Sequence, residues 1–376
     1  MARALFISDF ILAEEQGAKH LTKSHYETLK EIYGDENVDV VAINSIDESW
    51  NKHFLYREAQ PTKLKKLWNI ISGSSFLLSK SGENRIIELC HKNKYDLVFV
   101  DHSIYGKLIK RIKVECSIPV VSFFHGIMAF QTEEYQRLNR TSLLYFIPKY
   151  NIKTNEMLTV KYCDKCVLLN YRDELNLVKF YGRKADLLLP IYLESNIEII
   201  DEYSTDKFDL LFVGGYFWPN VHGIKWFAEN VMPQLPEKVR LTIVGNNMDK
   251  LKNEFHDSRI NVIGRVYSLQ DYYNRADAVV GPIFEGEGMK TKTCEALMYG
   301  KIYLGTDEAL EGYIGLDDYR CNTKDDFINK ITGLIKENCN KYHDDMRNIY
   351  LKYYSPIMAK EVLLETFKDL GLIFEE

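Results

Sequence analysis

The feature that most constrains the fold of this chain occurs twice along it: short apolar runs without alternation, separated by longer stretches of helical period. A run with no polar residue at every second position must be covered on both faces, the condition of a strand in a parallel sheet flanked by helices. In the first half the runs are ALFISDF, VDVVAIN, YDLVFVDHS, IPVVSFFHG, KCVLLN and ADLLLP, with helical stretches such as KSHYETLKEIYG between them. After Pro190 the pattern stops in an acidic, aperiodic segment, then restarts with FDLLFVGG, RLTIVGN, INVIGRV, AVVGPI and KIYLGT. The expected class is α/β, with two Rossmann-like lobes over 1–190 and 208–355 and a linker over 191–207. An amphipathic helix over 356–376 ends the chain and is expected to return to the first lobe. Parallel sheets of this kind bind ligands beyond the carboxyl ends of their strands, here facing a central cleft.

Composition narrows the function. With 376 residues the chain suits two domains, and a formal net charge of −6 argues against a nucleic-acid partner. No window approaches the roughly 18 consecutive apolar residues of a membrane span, and MARALFISDF lacks the features of a signal peptide, so a cytoplasmic protein is expected. Seven scattered cysteines fit reduced thiols. Cys163 and Cys166 form a lone Cys-x-x-Cys without the second pair that zinc would need, and are read as buried thiols.

Chemistry concentrates in GEGMKTKTCEALMYGK, residues 286–301. The amides of Gly288, Met289 and Lys290 open a helix, and a helix N-terminus attracts an anion by about 1 kcal/mol. Lys290 and Lys292 add full charges, which together suit a diphosphate. Neither a Walker loop nor the G-x-G-x-x-G fingerprint fits, because neither lysine follows a glycine and the third glycine is absent. Glu295 lies three residues after Lys292, on the same face, where its carboxylate can accept hydrogen bonds from a vicinal diol such as ribose. Glu287 and Glu295 form Glu-x7-Glu, a spacing also found at Glu194 with Glu202 and at Glu229 with Glu237, so only the glycine and lysine context singles this pair out.

Taken in order, FVGG with PNVHGIKWF, LTIVGN, VIGRV, ADAVVGPIFEGEGMKTKTCEALMYGK and LEGY resemble the nucleotide-binding lobe of GT-B glycosyltransferases, close to the retaining family numbered four, the glycosyl transferases group 1. The first half is similar only loosely, through the early glycine of EEQGAKH and through IPVVSFFHG. The resemblance implies that Glu295 binds the ribose, that Glu287 contacts the donor sugar, and that Lys292 holds the diphosphate with the amides of Gly288 to Lys290. Gly215 would let backbone approach the phosphates, Arg265 would reach the nucleotide, and Gly17 and His125 would belong to the donor site from the first lobe. Family members often carry basic residues where this chain has Gly215 and His222, which shifts the burden to Lys290, Lys292 and Arg265.

The implied activity is transfer of a sugar from a nucleoside-diphosphate sugar, UDP ahead of GDP, to a hydroxyl on a glycan or lipid-linked saccharide. No cofactor and no metal are expected, since Asp-x-Asp is absent and fixed cations can stabilise the leaving diphosphate. Two other readings stay open: a nucleotide-sugar epimerase of the same fold, and a non-catalytic partner subunit of a transferase. Residues 63–80 and 137–153 mix lysine or arginine with aromatic and aliphatic residues, as a helix face over the core or as a contact with anionic membrane at the inner face of the plasma membrane.

Overall fold

The computed structural model describes residues 2–12, 17–46, 51–139, 146–193, 197–200, 206–286, 288–337 and 340–374. The chain divides into two compact units, Met1–Pro190 with Ala359–Glu376, and Ile191–Met358.

The first unit is built on seven strands: β1 Ala4–Ser8, β2 Val38–Ser45, β3 Phe54–Ala59, β4 Leu97–Val100, β5 Val120–Phe124, β6 Lys165–Leu168 and β7 Leu187–Leu188. Their order is β3-β2-β1-β4-β5-β6-β7, all parallel. The central strands β1, β4 and β5 are buried along their whole length, as unalternating apolar runs require. The edge strand β3, FLYREA, was not expected. Most of its residues are only partly buried, and its pairing with β2 is broken by register shifts. An edge strand need not be apolar on both faces, so it carries no continuous run to be read.

The second unit holds β8 Phe208–Val213, β9 Val239–Val244, β10 Ile260–Ile263, β11 Ala278–Gly281 and β12 Tyr303–Gly305, in the parallel order β10-β9-β8-β11-β12. All eleven apolar runs thus form strands. In both sheets the order reverses once, between β1 and β4 and between β8 and β11, and a crevice opens at such a switch point beyond the strand ends. Gly223 shows how tightly the second unit closes. It lies in the helix Trp218–Asn230, and a Cβ there would stand 1.7 Å from the carbonyl oxygen of Pro282, so only glycine lets this helix seat against the loop after β11.

Two connections are informative. Ile191, Tyr192 and Leu193 are buried, and the carbonyl of Leu193 accepts a 2.6 Å hydrogen bond from the Tyr350 hydroxyl, so this part of the expected linker packs into the second unit. The C-terminal helix Pro356–Lys368 returns the chain to the first unit, where Lys360 lies 3.4 Å from Glu31 and the Phe367 ring meets Tyr33.

Candidate functional site

In the second unit the ends of β8, β9 and β10 are joined backbone to backbone. The Gly214 amide donates to Val244 O at 2.9 Å, Gly245 N to Gly264 O at 3.2 Å and Tyr216 N to Asn246 O at 2.8 Å. A Cβ on Gly245 would stand 1.9 Å from the Gly214 carbonyl oxygen, and one on Gly214 would stand 2.9 Å from Lys292 Nζ. At Gly215 a Cβ would meet nothing closer than 3.7 Å. The glycine demanded by the loop backbone is therefore Gly245; Gly214 approaches the side-chain ends of Asn220 and Lys292, and Gly215 leaves open space before its backbone.

Lys292 lies in the helix Thr291–Met298, whose N-cap residue Lys290 makes no side-chain capping bond, while the Tyr313 hydroxyl accepts from the Cys294 amide at 3.1 Å. Its Nζ donates to Asn220 Oδ1 at 2.6 Å and sits 4.6 Å from the centre of the Phe212 ring. Asn220 in turn donates through Nδ2 to the Gly215 carbonyl at 2.9 Å. Gly215 and Lys292, singled out separately in the sequence, are thus brought into one network at the switch point, and Asn220 is the link that sequence reasoning missed. Its only signal was its place inside the PNVHG motif. Burial, with added repulsion from Lys290 and against the pull of Glu295, pushes the Lys292 ammonium down to about 7. Among the described residues no carboxylate forms an ion pair with it.

Lys290 is arranged differently. Its Nζ binds Glu308 Oε1 at 2.6 Å and the Gly288 carbonyl at 2.8 Å, so its charge is already matched. Gly288 has φ 63° and Met289 is buried, which places the turn before the helix but gives Met289 a packing role as well. Glu295 accepts a 2.8 Å hydrogen bond from the buried Tyr273 hydroxyl, and the Tyr273 ring stacks on Tyr299 at 4.7 Å. Arg265 is exposed just past β10. His222 stacks on the exposed Trp218, whose Nε1 donates to Glu285 at 3.0 Å. Glu287 lies outside the described residues.

The first unit carries a second cluster at its own switch point. Asp101, directly after β4, takes His25 Nδ1 at 2.7 Å and His125 Nε2 at 3.2 Å on one carboxylate oxygen, and the hydroxyls of Thr22 and Ser8 on the other. Burial alone would raise the Asp101 pKa, but His125 and His25 together outweigh it and hold the carboxyl below the usual range. An ionised carboxylate only accepts, so His125 presents Nε2–H to Asp101, and a neutral ring keeps Nδ1 as an acceptor. Asp9, just after β1, pairs with His102 Nδ1 at 3.0 Å. Burial disfavours the imidazolium, yet Asp9 and then Asp101 prevail and raise the His102 pKa above its ordinary value. Phe10 packs against both His102 and His125.

Of these residues the sequence singled out only His125. Asp9, Phe10, Asp101 and His102 sit one or two positions past a strand end, in SDF and VDHS, a location that could have flagged them. Gly17 opens the helix Gly17–Tyr33, which carries Thr22 and His25 on its later turns. Among the described residues no three His, Cys, Asp or Glu side chains are arranged to hold a metal ion. Cys163 and Cys166 are buried thiols with their sulfurs 3.3 Å apart.

Residues 207–337 match the family model described as glycosyl transferases group 1. The fold is GT-B. The sucrose-phosphate synthase of Thermosynechococcus elongatus superposes with a TM-score of 0.74 at 13% identity, over 99% of each chain. HepE from Anabaena, solved in complex with UDP and glucose, gives a TM-score of 0.64 at 14% identity over 98% of this chain and all of that one. The lipopolysaccharide outer core galactosyltransferase WaaB in its apo form gives 0.66 at 13% identity, over 98% and 99% of the two chains. No curated protein matches the chain at significant sequence similarity.

Proposed function

We propose that the protein transfers a sugar from a nucleoside-diphosphate sugar, UDP ahead of GDP, to a hydroxyl of a glycan or lipid-linked saccharide, with retention and without a metal. The observation that carries this reading is Lys292: a half-buried ammonium with a neutral amide as its hydrogen-bond partner, in the first turn of a helix at the switch point of a GT-B lobe. Among the described residues this half-buried cation has no carboxylate paired with it, a costly arrangement that a diphosphate would relieve. Glu295, oriented by Tyr273, is the acceptor for the ribose hydroxyls. The match of residues 207–337 to glycosyl transferases group 1 and the UDP complex of HepE support the same assignment.

In this reading the carbon–oxygen bond to the diphosphate breaks as the acceptor oxygen approaches on the same face. The acceptor proton passes to the departing phosphate oxygen, and Lys292 with the helix amides stabilises the charge that develops there. His125, fixed by Asp101, and Glu287 contact the donor sugar; no covalent enzyme intermediate forms. The name of WaaB, a lipopolysaccharide outer core galactosyltransferase, supports a surface-glycan acceptor, and a peripheral position at an anionic membrane is part of the same proposal. Among the described residues no helix is long and apolar enough to cross one.

The experiment is incubation with a panel of labelled UDP- and GDP-sugars, with and without EDTA. Slow release of free sugar that survives EDTA is expected from at least one donor. Accumulation of an epimerised nucleotide sugar would overturn the transferase reading, and calorimetry without affinity for any nucleoside diphosphate would remove its basis.

A further inference from the structure

The helix Lys63–Ile71 in the first unit is turned inside out. A surface helix normally sets its apolar stripe on the core and its polar face in water. Here Leu64, Leu67, Trp68 and Ile71, at the i, i+3, i+4, i+7 spacing of one stripe, are 73%, 41%, 69% and 66% exposed. The buried residue of the helix is a polar one, Asn69, whose Nδ2 donates to the Phe76 carbonyl at 3.1 Å.

This orientation is held in place. Thr62 caps the helix by accepting from Lys65 N. Asn151, on the neighbouring helix Phe146–Tyr162, accepts from Phe76 N at 3.1 Å and donates to the Ser74 carbonyl at 2.8 Å, tying down the segment that follows. Turning the stripe inward would break these bonds and bury lysines.

The charges are placed to match. At 100° per residue Lys63 and Lys65 fall on opposite borders of the apolar stripe, and Lys66 lies behind it with Nζ 5.8 Å from the Phe76 ring. From residue 59 to residue 82 the chain has four lysines and no acid, although its net charge is −6. An apolar stripe with a tryptophan, bordered on both sides by lysines, is the arrangement of a helix lying in a bilayer interface, with its stems among acyl chains and its ammonium groups at lipid phosphates. A second copy of the same face would bring lysines against lysines across a two-fold axis, which disfavours a symmetric dimer.

We propose that Lys63–Ile71 is an interfacial anchor that docks the first unit on an anionic lipid bilayer, inserting Leu64, Leu67, Trp68 and Ile71. This deepens the peripheral-membrane part of the reading above, and it depends neither on the donor nor on the acceptor.

The test is co-sedimentation of the full chain with vesicles of phosphatidylcholine, alone or mixed with phosphatidylglycerol, at low and high salt. Binding to the mixed vesicles that weakens with salt is expected. It should fall about tenfold or more in Lys63→Glu/Lys65→Glu and be lost in Trp68→Ser/Ile71→Ser. Both pairs change exposed side chains, so circular dichroism and UDP calorimetry of the variants should match the parent. That control separates failure of the anchor from failure of the donor site. Absence of vesicle binding, binding unchanged in both variants, or a dimer abolished by Trp68→Ser/Ile71→Ser without vesicle binding would each overturn the proposal.

Discussion

Lys292 Nζ and Asn220 Oδ1 lie 2.6 Å apart, and this neutral amide is the ammonium's hydrogen-bond partner. A charged group so placed is held in a poor state until an anion arrives. Because burial lowers its pKa to about 7, much of it is unprotonated in the free protein slightly above neutrality. Binding of UDP should therefore take up a proton between about pH 7 and 9, and the affinity should fall as pH rises through that range. Calorimetry in buffers of different ionisation enthalpy measures the uptake; Lys292→Met should abolish it and weaken binding at least about tenfold.

The same lysine should make the free protein less stable than it need be. Its folded pKa lies below the unfolded value near 10.4, so the unfolded chain binds more protons and stability rises with pH between the two. Lys292→Met should raise stability without ligand by about 1 kcal/mol at neutral pH, discounted because the side chain is only partly buried. Denaturation with and without saturating UDP should show the order of parent and variant inverted.

The Tyr273–Glu295 hydrogen bond of 2.8 Å gives the ribose assignment its own test. Glu295→Ala should cost UDP about tenfold to a hundredfold in affinity, the worth of hydrogen bonds to a charged group. Against 2′,3′-dideoxy-UDP the same substitution should cost almost nothing. Tyr273→Phe should fall between parent and Glu295→Ala.

Asp101 is predicted to position His125 rather than to touch the sugar. Asp101→Asn keeps the shape but offers Nδ2–H where an acceptor is needed, so donor turnover should fall about tenfold to a hundredfold with a smaller change in KM. The depressed carboxyl also stabilises the fold above its unfolded pKa and loses this as pH falls through the folded value. The acid limb of a melting curve should therefore flatten in Asp101→Asn. His102 works in the opposite sense. Its raised pKa contributes stability that is fully present below about pH 6.5 and is lost as pH rises through the folded value. Asp9→Asn should remove that alkaline loss.

Gly223→Ala should destabilise the second unit by about 1–3 kcal/mol, because the new methyl would stand 1.7 Å from the Pro282 carbonyl oxygen. Chemical denaturation measures it, and a neutral outcome would mean that the helix can shift without cost.

What the sequence disclosed follows from what it must encode locally. Eleven strands were legible because each carries a short unalternating apolar run, and β3 was not because FLYREA, half covered at the sheet edge, carries none. The lysine and glutamate of the loop after β11 stood out because glycines and a helix start surround them. The Asp101 network stayed hidden because Ser8, Thr22, His25, Asp101 and His125 come from separate segments and meet only through the strand order. That Lys290 is engaged by Glu308, 18 positions away, could not be read from spacing either.

The backbone stitching of β8, β9 and β10 limits how this site can diversify. A floor made of backbone amides and carbonyls, with Gly245 too close to the Gly214 carbonyl for any methyl, offers few side chains to exchange. Descendants of this chain that came to prefer another base or sugar would have to record the change on the surrounding walls, where Tyr216, Phe217, Trp218, Arg265 and Tyr267 stand exposed.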